Sequence, residues 1–298
     1  MTQLPYHKSV LVSEVLHYLD PQPGGVYVDA TFGGGGHTRA ILEHEPRCRV
    51  IGLDWDRIAI ETHEEAFKQK YGDRLKLIWG NFAQLELLLK KNGVRAVDGA
   101  LADFGTSQDQ IKQRAGFSFA IDSPLDMRMS PAHQKMTAEY IVNRFSEKQL
   151  RELFWELGQE RHAAAIARAI IQERAYGRIK TTLQLARLIE RIVPRRSGGK
   201  SIHPATQTFQ ALRMMVNNER ENIHSFLSSA THVVKPGGTI VCISFHSLED
   251  RAVKQFFAQQ PMLDVLTRRV VTASDAELAA NPSARSACLR AARVQGEK

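Results

Sequence analysis

Cysteine is scarce in this sequence, and long apolar runs are missing. The three cysteines, Cys48, Cys242 and Cys288, are far apart and odd in number. Such spacing excludes a disulfide framework and offers no zinc-ligand pattern, so we expect a reducing compartment and no metal site. No segment reaches the ~20 apolar residues of a membrane helix, and the first ten residues (MTQLPYHKSV) lack the charged-then-apolar pattern of a secretion signal. We therefore expect a cytoplasmic protein with no membrane partner.

Positive charge is unevenly distributed along the chain. The 298 residues include 40 Lys and Arg against 32 Asp and Glu, a net charge of +8. Residues 144–200 alone hold thirteen Lys and Arg against six Glu, which accounts for seven of these eight charges. A concentrated basic segment is typical of nucleic-acid binding; the alternative is a set of solvated helix faces without a partner.

Four consecutive glycines, Gly33–Gly36, follow a short apolar run at Val26–Val28. This order predicts a strand, a tight loop and a helix that begins near 36–38. Glycine lets the backbone adopt positive φ and close on a ligand, and the helix N-terminus presents N–H groups to that ligand. A second apolar run ends at Asp54, about twenty residues further on, where nucleotide-binding α/β folds place a carboxylate on ribose hydroxyls.

The glycine spacing discriminates between two nucleoside cofactors. A dinucleotide fingerprint requires G-x-G-x-x-G, but the register from Gly33 places Thr38 where the third glycine belongs. S-adenosylmethionine sites use the same strand, loop, helix and ribose-binding acid without a pyrophosphate cradle. The pattern therefore favours the methyl donor over NAD and disfavours a nicotinamide dehydrogenase; a structural turn with no ligand is the alternative.

Strands and helices alternate through the first hundred residues. The predicted strands are 26–28, 49–54, 75–79 and 97–103, and the predicted helices are 9–19, 36–43, 57–70 and 84–91. Such alternation predicts an α/β fold with right-handed crossovers and a mainly parallel sheet, whose ligands lie beyond the carboxyl ends of the strands. We therefore expect Gly33–His37, Asp54, Phe82 and Asp103 to meet in one crevice.

The alternation stops after Asp103 for about a hundred residues. A capping box at Ser146 and Gln149, followed by helical apolar spacing as far as Val193, predicts an all-α insertion over 108–205. The insertion carries most of the basic charge. The methyltransferase-like core is then discontinuous, with segments 1–107 and 206–298 on either side of the insertion.

The α/β pattern resumes after the insertion. It predicts one long helix over 206–232, a tight turn at 235–238, a strand at 239–244 and a helix with Ser247 at its N-cap. The polar, Ala-rich tail from Pro261 predicts no element.

Asp103 ends the fourth predicted strand and is a candidate for chemistry. An exocyclic amino nitrogen is a poor nucleophile because its lone pair is delocalised into the ring. An acceptor on its N–H aims that lone pair at a sulfonium methyl group. Asp103 is suited to this role; alternatively it binds the donor's ammonium group or caps the following turn. Carbon methylation is disfavoured because no cysteine stands here, and a DNA amino-methyltransferase is disfavoured because Pro-Pro-aromatic does not follow Asp103.

Taken together, these segments resemble one family, the bacterial small-subunit ribosomal RNA cytosine-N4-methyltransferases (RsmH, formerly MraW). The resemblance spans nearly the whole chain and is carried by residues 7–16, 29–37 (DATFGGGGH), 80–82, 116–129 (GFSFAIDSPLDMRM), 203–217 (HPATQTFQALRMMVN), 236–251 (PGGTIVCISFHSLEDR) and 281–289. The PLDMRM, HPAT-x-TFQALR and SFHSLEDR stretches have no generic structural reason to occur together.

The resemblance implies methyl transfer from S-adenosylmethionine to N4 of a cytidine in the decoding region of 16S ribosomal RNA. It also implies a class I methyltransferase core, Rossmann-like, with an inserted helical domain that contacts RNA. The partner would be 16S rRNA or the small ribosomal subunit rather than DNA, and the protein would be a monomer or a homodimer. Carried over by position, the donor-binding residues are Gly35, Gly36, His37, Asp54, Phe82, Asp103 and Gln110, with Asp103 beside the target base.

The chain departs from the family pattern in two places, the loop after Asp103 and the residue after Asp54. Where the family usually reads D-L-G-V-S-S-P-Q, this chain has Gln108 and Asp109 before Gln110, so the proline is lost. Trp55 stands where an Arg is usual; its indole either covers the adenine or is an exposed aromatic. The altered loop leaves a rival of another class, a non-catalytic S-adenosylmethionine-binding factor for RNA or ribosome assembly.

Overall fold

A computed structural model describes residues 9–105, 115–193 and 203–296. Its α-helices are α1 (Val12–Leu19), α2 (Gly36–His44), α3 (Arg57–Tyr71), α4 (Leu85–Lys91), α5 (Ala138–Arg144), α6 (Glu147–Gly158), α7 (Ala163–Tyr176), α8 (Thr182–Ile192), α9 (Thr206–Asn217), α10 (Glu219–Val233), α11 (Ser247–Gln259) and α12 (Asp275–Ala280). Its strands are β1 (Val26–Asp29), β2 (Arg49–Asp54), β3 (Leu75–Trp79), β4 (Val97–Asp103), β5 (Val234–Ser244), β6 (Leu263–Val265), β7 (Val271–Thr272) and β8 (Cys288–Val294). Among the described helices, none has the length and apolar content to span a membrane.

The strands form one sheet in the order β3-β2-β1-β4-β5-β8-β6, with β7 paired to β8. The first five strands are parallel, whereas β8 runs antiparallel to both β5 and β6. Most of β4 is buried, as expected of a central parallel strand covered on both faces. This order with one reversed strand is that of class I S-adenosylmethionine-dependent methyltransferases, so the predicted α/β fold is confirmed.

The chain divides into two compact units. The core unit comprises residues 1–105 and 220–298, and the inserted unit comprises residues 106–219. The inserted unit has its own apolar core, to which helices α5–α9 contribute; Phe154 and Ile166 are fully buried in it. The predicted insertion ends at residue 205, but α9 lies in the inserted unit because Phe209 and Leu212 pack into the same core.

The single helix predicted over 206–232 is wrong. The chain forms α9 and α10 instead, separated by Asn218 in the left-handed conformation (φ 49°), where it caps α9. Asparagine is one of the few non-glycine residues that adopt this conformation readily. The predicted cap of α11 is also displaced by one residue, because His246 rather than Ser247 pairs with Glu249 in the capping box.

The structure also adds to the sequence analysis near the C-terminus, at one predicted turn and in a tail for which no element was predicted. The predicted turn at 235–238 lies within β5, where Gly237 (φ 87°) accommodates a shift in register against β4. The tail from Pro261 contains β6, β7, α12 and β8. In β8 the buried Arg290 is compensated by two hydrogen bonds to Asp250 of 2.6 and 3.0 Å, so a sequence that looks polar forms an interior strand.

Candidate functional site

The glycine loop connects β1 to α2 in the core unit. Gly33 donates its N–H to Asp54 Oδ2 at 2.6 Å, which joins the loop to the end of β2. Gly35 (φ 73°) is the N-cap of α2, and no side chain caps this helix end. The positive end of the α2 dipole is therefore available to electron-rich atoms of a ligand.

The four glycines are needed for different reasons. A Cβ on Gly35 would lie 2.3 Å from the Phe67 ring, and one on Gly36 would lie 2.0 Å from Ser9 Oγ. Packing therefore requires glycine at position 35, whereas at position 36 the Ser9 side chain would have to shift. A Cβ on Gly34 would meet nothing within 4 Å, so that residue faces open space. A Cβ on Gly33 would meet only the carbonyl oxygen of Thr31, at 3.9 Å, so Gly33 and Gly34 both leave room beside the loop for a ligand.

Asp54 ends β2 and is a strong hydrogen-bond acceptor. Its carboxylate accepts the N–H groups of Gly33 and Asp56 at 2.6 and 2.7 Å. Burial raises the pKa of Asp54 to about 7, even though these two hydrogen bonds favour the ionised form. Trp55, the next residue, is half-buried, and its carbonyl oxygen accepts the Trp79 indole N–H at 3.1 Å.

Asp103 ends β4 and is held by the loop that follows β1. Its main-chain N–H donates to Thr31 Oγ1 at 2.7 Å, and its Oδ1 accepts the N–H of Gly105 at 3.2 Å. Burial raises the pKa of Asp103 to about 6, while nearby His37 acts in the opposite direction. Hence this carboxylate is ionised at neutral pH and becomes protonated in mild acid.

His37, in the first turn of α2, lies beside Asp103. Its Nε2 is 2.9 Å from the carbonyl oxygen of Val10, and because a carbonyl only accepts, Nε2 carries the hydrogen. Its Nδ1 is then directed towards Asp103 Oδ2, 4.0 Å away. The arrangement orients the imidazole and makes Nδ1 the nitrogen that faces the carboxylate.

A third carboxylate was missed by the sequence analysis as a site residue. Asp29, at the end of β1, is fully buried and accepts hydrogen bonds from Thr38 Oγ1 (2.7 Å) and the Thr31 N–H (3.3 Å). Burial raises its pKa. Its position at the start of the DATFGGGGH stretch was the available signal. Three carboxylates thus end three adjacent strands, and their negative potential suits a cationic ligand.

Phe82 lies just beyond β3. Its half-buried ring contacts Phe104, the neighbour of Asp103 in sequence, with ring centres 5.8 Å apart, and Phe226 at 5.9 Å. For Phe82 to contact the adenine of the donor, the ligand must therefore reach the cluster formed by these three phenylalanine rings. Gln110, the remaining predicted donor-binding residue, lies outside the described residues.

Three polar residues from the family-like stretches have structural positions. Ser244 is buried at the carboxyl end of β5, and His246 caps α11. His203 belongs to the inserted unit, where it stacks on Phe119 (ring centres 4.4 Å apart) and lies 2.9 Å from Glu190. Helix capping and ring stacking account for the two histidines without chemistry.

Comparison with known proteins adds to this geometry. A family model described as the MraW methylase family matches residues 5–295. The chain is similar to ribosomal RNA small subunit methyltransferase H of Rhodopseudomonas palustris, with 47% identity over 96% of this chain and 90% of the relative. The protein of the same name from Thermomicrobium roseum is 45% identical over 96% of this chain and 93% of its own. Among solved structures, a putative methyltransferase from Streptococcus mutans in complex with SAH aligns over 99% of both chains with 11% identity and a TM-score of 0.45, a likeness too weak to add to the sheet topology.

Proposed function

Because the chain belongs to the MraW methylase family, we propose that it transfers a methyl group from S-adenosylmethionine to the exocyclic N4 of a cytidine in 16S ribosomal RNA, in the decoding region. The main support for this proposal is the position of Asp103. This hydrogen-bond acceptor lies at the end of β4, beside His37 in the first turn of α2. Relatives at 45–47% identity that are named as ribosomal RNA small subunit methyltransferases support the substrate class.

The residues of the core unit fit the methyl donor. Asp54 would accept the ribose hydroxyls, and Gly34 leaves the loop open for the nucleoside. The three strand-end carboxylates would stabilise the positive charge of the sulfonium and ammonium groups. When bound, the donor supplies an electrophilic methyl group; the protein supplies position and electrostatics.

Asp103 has two successive tasks in this proposal. As an ionised carboxylate it accepts an N–H of the cytosine amino group and directs the nitrogen lone pair towards the methyl group. After the N–C bond forms, the nitrogen carries the positive charge, and one proton must leave. Asp103, with a pKa of about 6, is suited to accept it, and His37 Nδ1 at 4.0 Å is the neighbouring site for that proton.

The inserted unit would bind the RNA. Its surplus of arginine and lysine suits phosphates, and the target base would be turned out of its stack to reach Asp103. Such a substrate implies a cytoplasmic protein that works with the small ribosomal subunit, as a monomer or homodimer. The non-catalytic assembly factor is not favoured, because the closely similar relatives are named as methyltransferases.

The test uses purified protein and isotope-labelled S-adenosylmethionine. Unmodified small subunits, naked 16S RNA and duplex DNA are offered separately, then digested to nucleosides and analysed by mass spectrometry. We expect label in N4-methylcytidine from a ribosomal substrate and none in DNA. Donor binding by calorimetry without label in any product would instead identify the non-catalytic factor.

A further inference from the structure

A basic cavity of about 450 Å³ lies in the inserted unit, between the end of α5 and the end of α7. Its lining consists of Asn143, Arg144, Ile171, Arg174, Ala175 and Arg178. Three of these six residues are arginines and none is acidic. Its volume is within the range of small-ligand pockets, roughly 300–1,000 Å³, and suits a phosphate together with its sugar.

Two of the three arginines have no carboxylate partner among the described residues. Arg178 forms an ion pair with Glu139 at 3.0 Å. In the described part of the chain, neither Arg144 nor Arg174 pairs with a carboxylate. Arg174 is half-buried, and this burial lowers the pKa of its guanidinium. An anion in the cavity would compensate this charge.

Arg174 also shapes the cavity. Its Nη1 donates to the carbonyl oxygens of Val142 and Phe145 at 2.9 and 2.8 Å, and so caps the C-terminal end of α5. The two bonds orient the planar guanidinium before any ligand arrives. Arg144, the last residue of α5, is exposed beside it. Arginines fixed in this way suit bidentate contacts to phosphate oxygens.

Two exposed tyrosines stand close to the arginines in sequence. Tyr176 ends α7, next to the lining residue Ala175, and 95% of it is exposed. Tyr140 lies one helical turn before Arg144 on α5 and is 51% exposed. Alternating cations and exposed aromatic rings characterise sites for single-stranded RNA, where phosphates meet arginines and unpaired bases stack on rings.

We propose that this cavity is a second RNA-contact site, in which Arg144, Arg174 and Arg178 hold a backbone phosphate and Tyr176 stacks on an adjacent unpaired base. This inference rests on the proposed function and adds a defined place for the RNA strand on the inserted unit. The site would anchor RNA through its backbone and thus contribute affinity rather than base identity.

The test compares two double variants of the full-length protein. Arg144→Ala/Arg178→Ala removes two cavity cations and leaves the Arg174 cap in place. Lys148→Ala/Arg151→Ala removes the same charge from α6 as a matched control. Fluorescence anisotropy with a labelled single-stranded RNA 20-mer is measured over a range of salt concentrations, and thermal unfolding verifies that both variants fold.

We expect the cavity variant to bind RNA about tenfold more weakly. Its salt dependence should be shallower by about 0.7 in log K against log salt, because the arginines hold one phosphate between them. Donor affinity should not change. An equal effect in the control variant, or unchanged RNA binding in the cavity variant, would overturn the inference.

Two further measurements sharpen the result. Tyr176→Ala should weaken RNA binding by about tenfold and Tyr176→Phe should not, whereas Trp155→Ala, an exposed aromatic on α6, serves as control. Inorganic pyrophosphate is titrated by calorimetry as well. If it binds to the wild type but RNA affinity does not depend on the cavity, the site is for a free anion and the inference is wrong.

Failure of this inference is separable from failure of the proposed function. A wild-type protein that methylates small subunits, with a cavity variant that binds RNA normally, rejects the cavity alone. A wild-type protein that methylates no ribosomal substrate rejects the function, whatever the arginines do.

Discussion

In the core unit the charged groups of the candidate site are acids that are largely buried. In the inserted unit the charged groups around the cavity are mostly exposed arginines. Burial raises the pKa of Asp54 to about 7 and of Asp103 to about 6. Arg144 and Arg178 are exposed and stay charged at any physiological pH. The difference suits a cationic ligand in the first unit and a polyanion on the second, and the two raised pKa values make the first sensitive to pH near neutrality.

The largest effect is expected from a substitution that disrupts only the chemistry of the core unit. Asp103→Asn should lower kcat by at least about 100-fold, because an amide presents one carbonyl acceptor and cannot take the proton. RNA affinity should not change. The control is Asp98→Asn, on the same strand, where the carboxylate instead binds the Val26 N–H and Lys235. Single-turnover methyl transfer measures both; near-normal turnover in Asp103→Asn would remove its role as acceptor.

Donor binding should depend on Asp54. Asp54→Asn should weaken S-adenosylmethionine binding by about 10- to 100-fold, since hydrogen bonds to charged groups contribute about 1.5–3 kcal/mol. In the wild type, affinity should fall as pH drops through about 7, where the carboxylate takes up a proton, and the variant should show a flatter profile. Calorimetry from pH 5.5 to 8.5 measures this. A weakened affinity for RNA in the same variant would contradict the division between the units.

The glycine loop offers a matched pair of substitutions. Gly35→Ala should destabilise the fold by about 1–3 kcal/mol, because the residue has φ 73° and its Cβ would overlap the Phe67 ring. Gly34→Ala should leave thermal unfolding nearly unchanged and weaken donor binding. Equal stability of the two variants would mean that the loop rearranges freely.

The buried acids should affect stability in a direction opposite to that of paired surface carboxylates. A carboxyl whose folded pKa is raised destabilises the protein above that pKa, so its penalty disappears as pH falls towards the unfolded value near 3.8. Relative to wild type, Asp54→Asn/Asp103→Asn should therefore be more stable at pH 8 than at pH 5, by up to about 4 kcal/mol, because Asp54 takes up its proton about two pH units above pH 5 and Asp103 about one, at about 1.4 kcal/mol per unit. Urea unfolding at both pH values measures the difference. A stability advantage of the variant over the wild type that is larger at pH 5 than at pH 8 would contradict this expectation.

The smallest effect is expected on the surface of the inserted unit. Arg168 lies 3.9 Å from Glu147, and both side chains are exposed. Arg168→Ala should change the free energy of unfolding by less than about 0.5 kcal/mol, as is usual for exposed ion pairs. A larger loss in urea unfolding would show that surface charges hold this unit together.

Hydrophobic periodicity predicted the first four strands closely, and it predicted most of the apolar helices. The distance from Gly33 to Asp54 and the position of Asp103 placed the crevice, because parallel strands end at one edge of the sheet. What could not be predicted depends on contacts between distant residues. Strand β8 contains the buried Arg290, whose charge is compensated by Asp250. The ring of His37 is oriented by its hydrogen bond to the Val10 carbonyl oxygen.

For two of the predicted residues, the structure shows a different reason for glycine than the sequence suggested. Gly35 and Gly36 were expected for the ligand, but the rings of Phe67 and the hydroxyl of Ser9 occupy the space that a Cβ would need. Such packing cannot be seen in a sequence, since Ser9 and Phe67 are remote from the loop in the chain. The roles of Asp54, Phe82 and Asp103 towards a ligand stay predictions until the donor is bound.

The placement of the inserted unit between β4 and β5 has a consequence for synthesis of the chain. Strand β4 ends at Asp103 and its partner β5 begins at Val234, so about 130 residues must be translated before the pair can form. At roughly 5–20 residues per second this takes on the order of ten seconds. Throughout that interval an apolar strand edge stays uncovered on the nascent polypeptide. An inserted unit with its own apolar core shortens the disordered part of this connection before β5 emerges, and so lowers the entropy cost of bringing β5 to the open edge of β4.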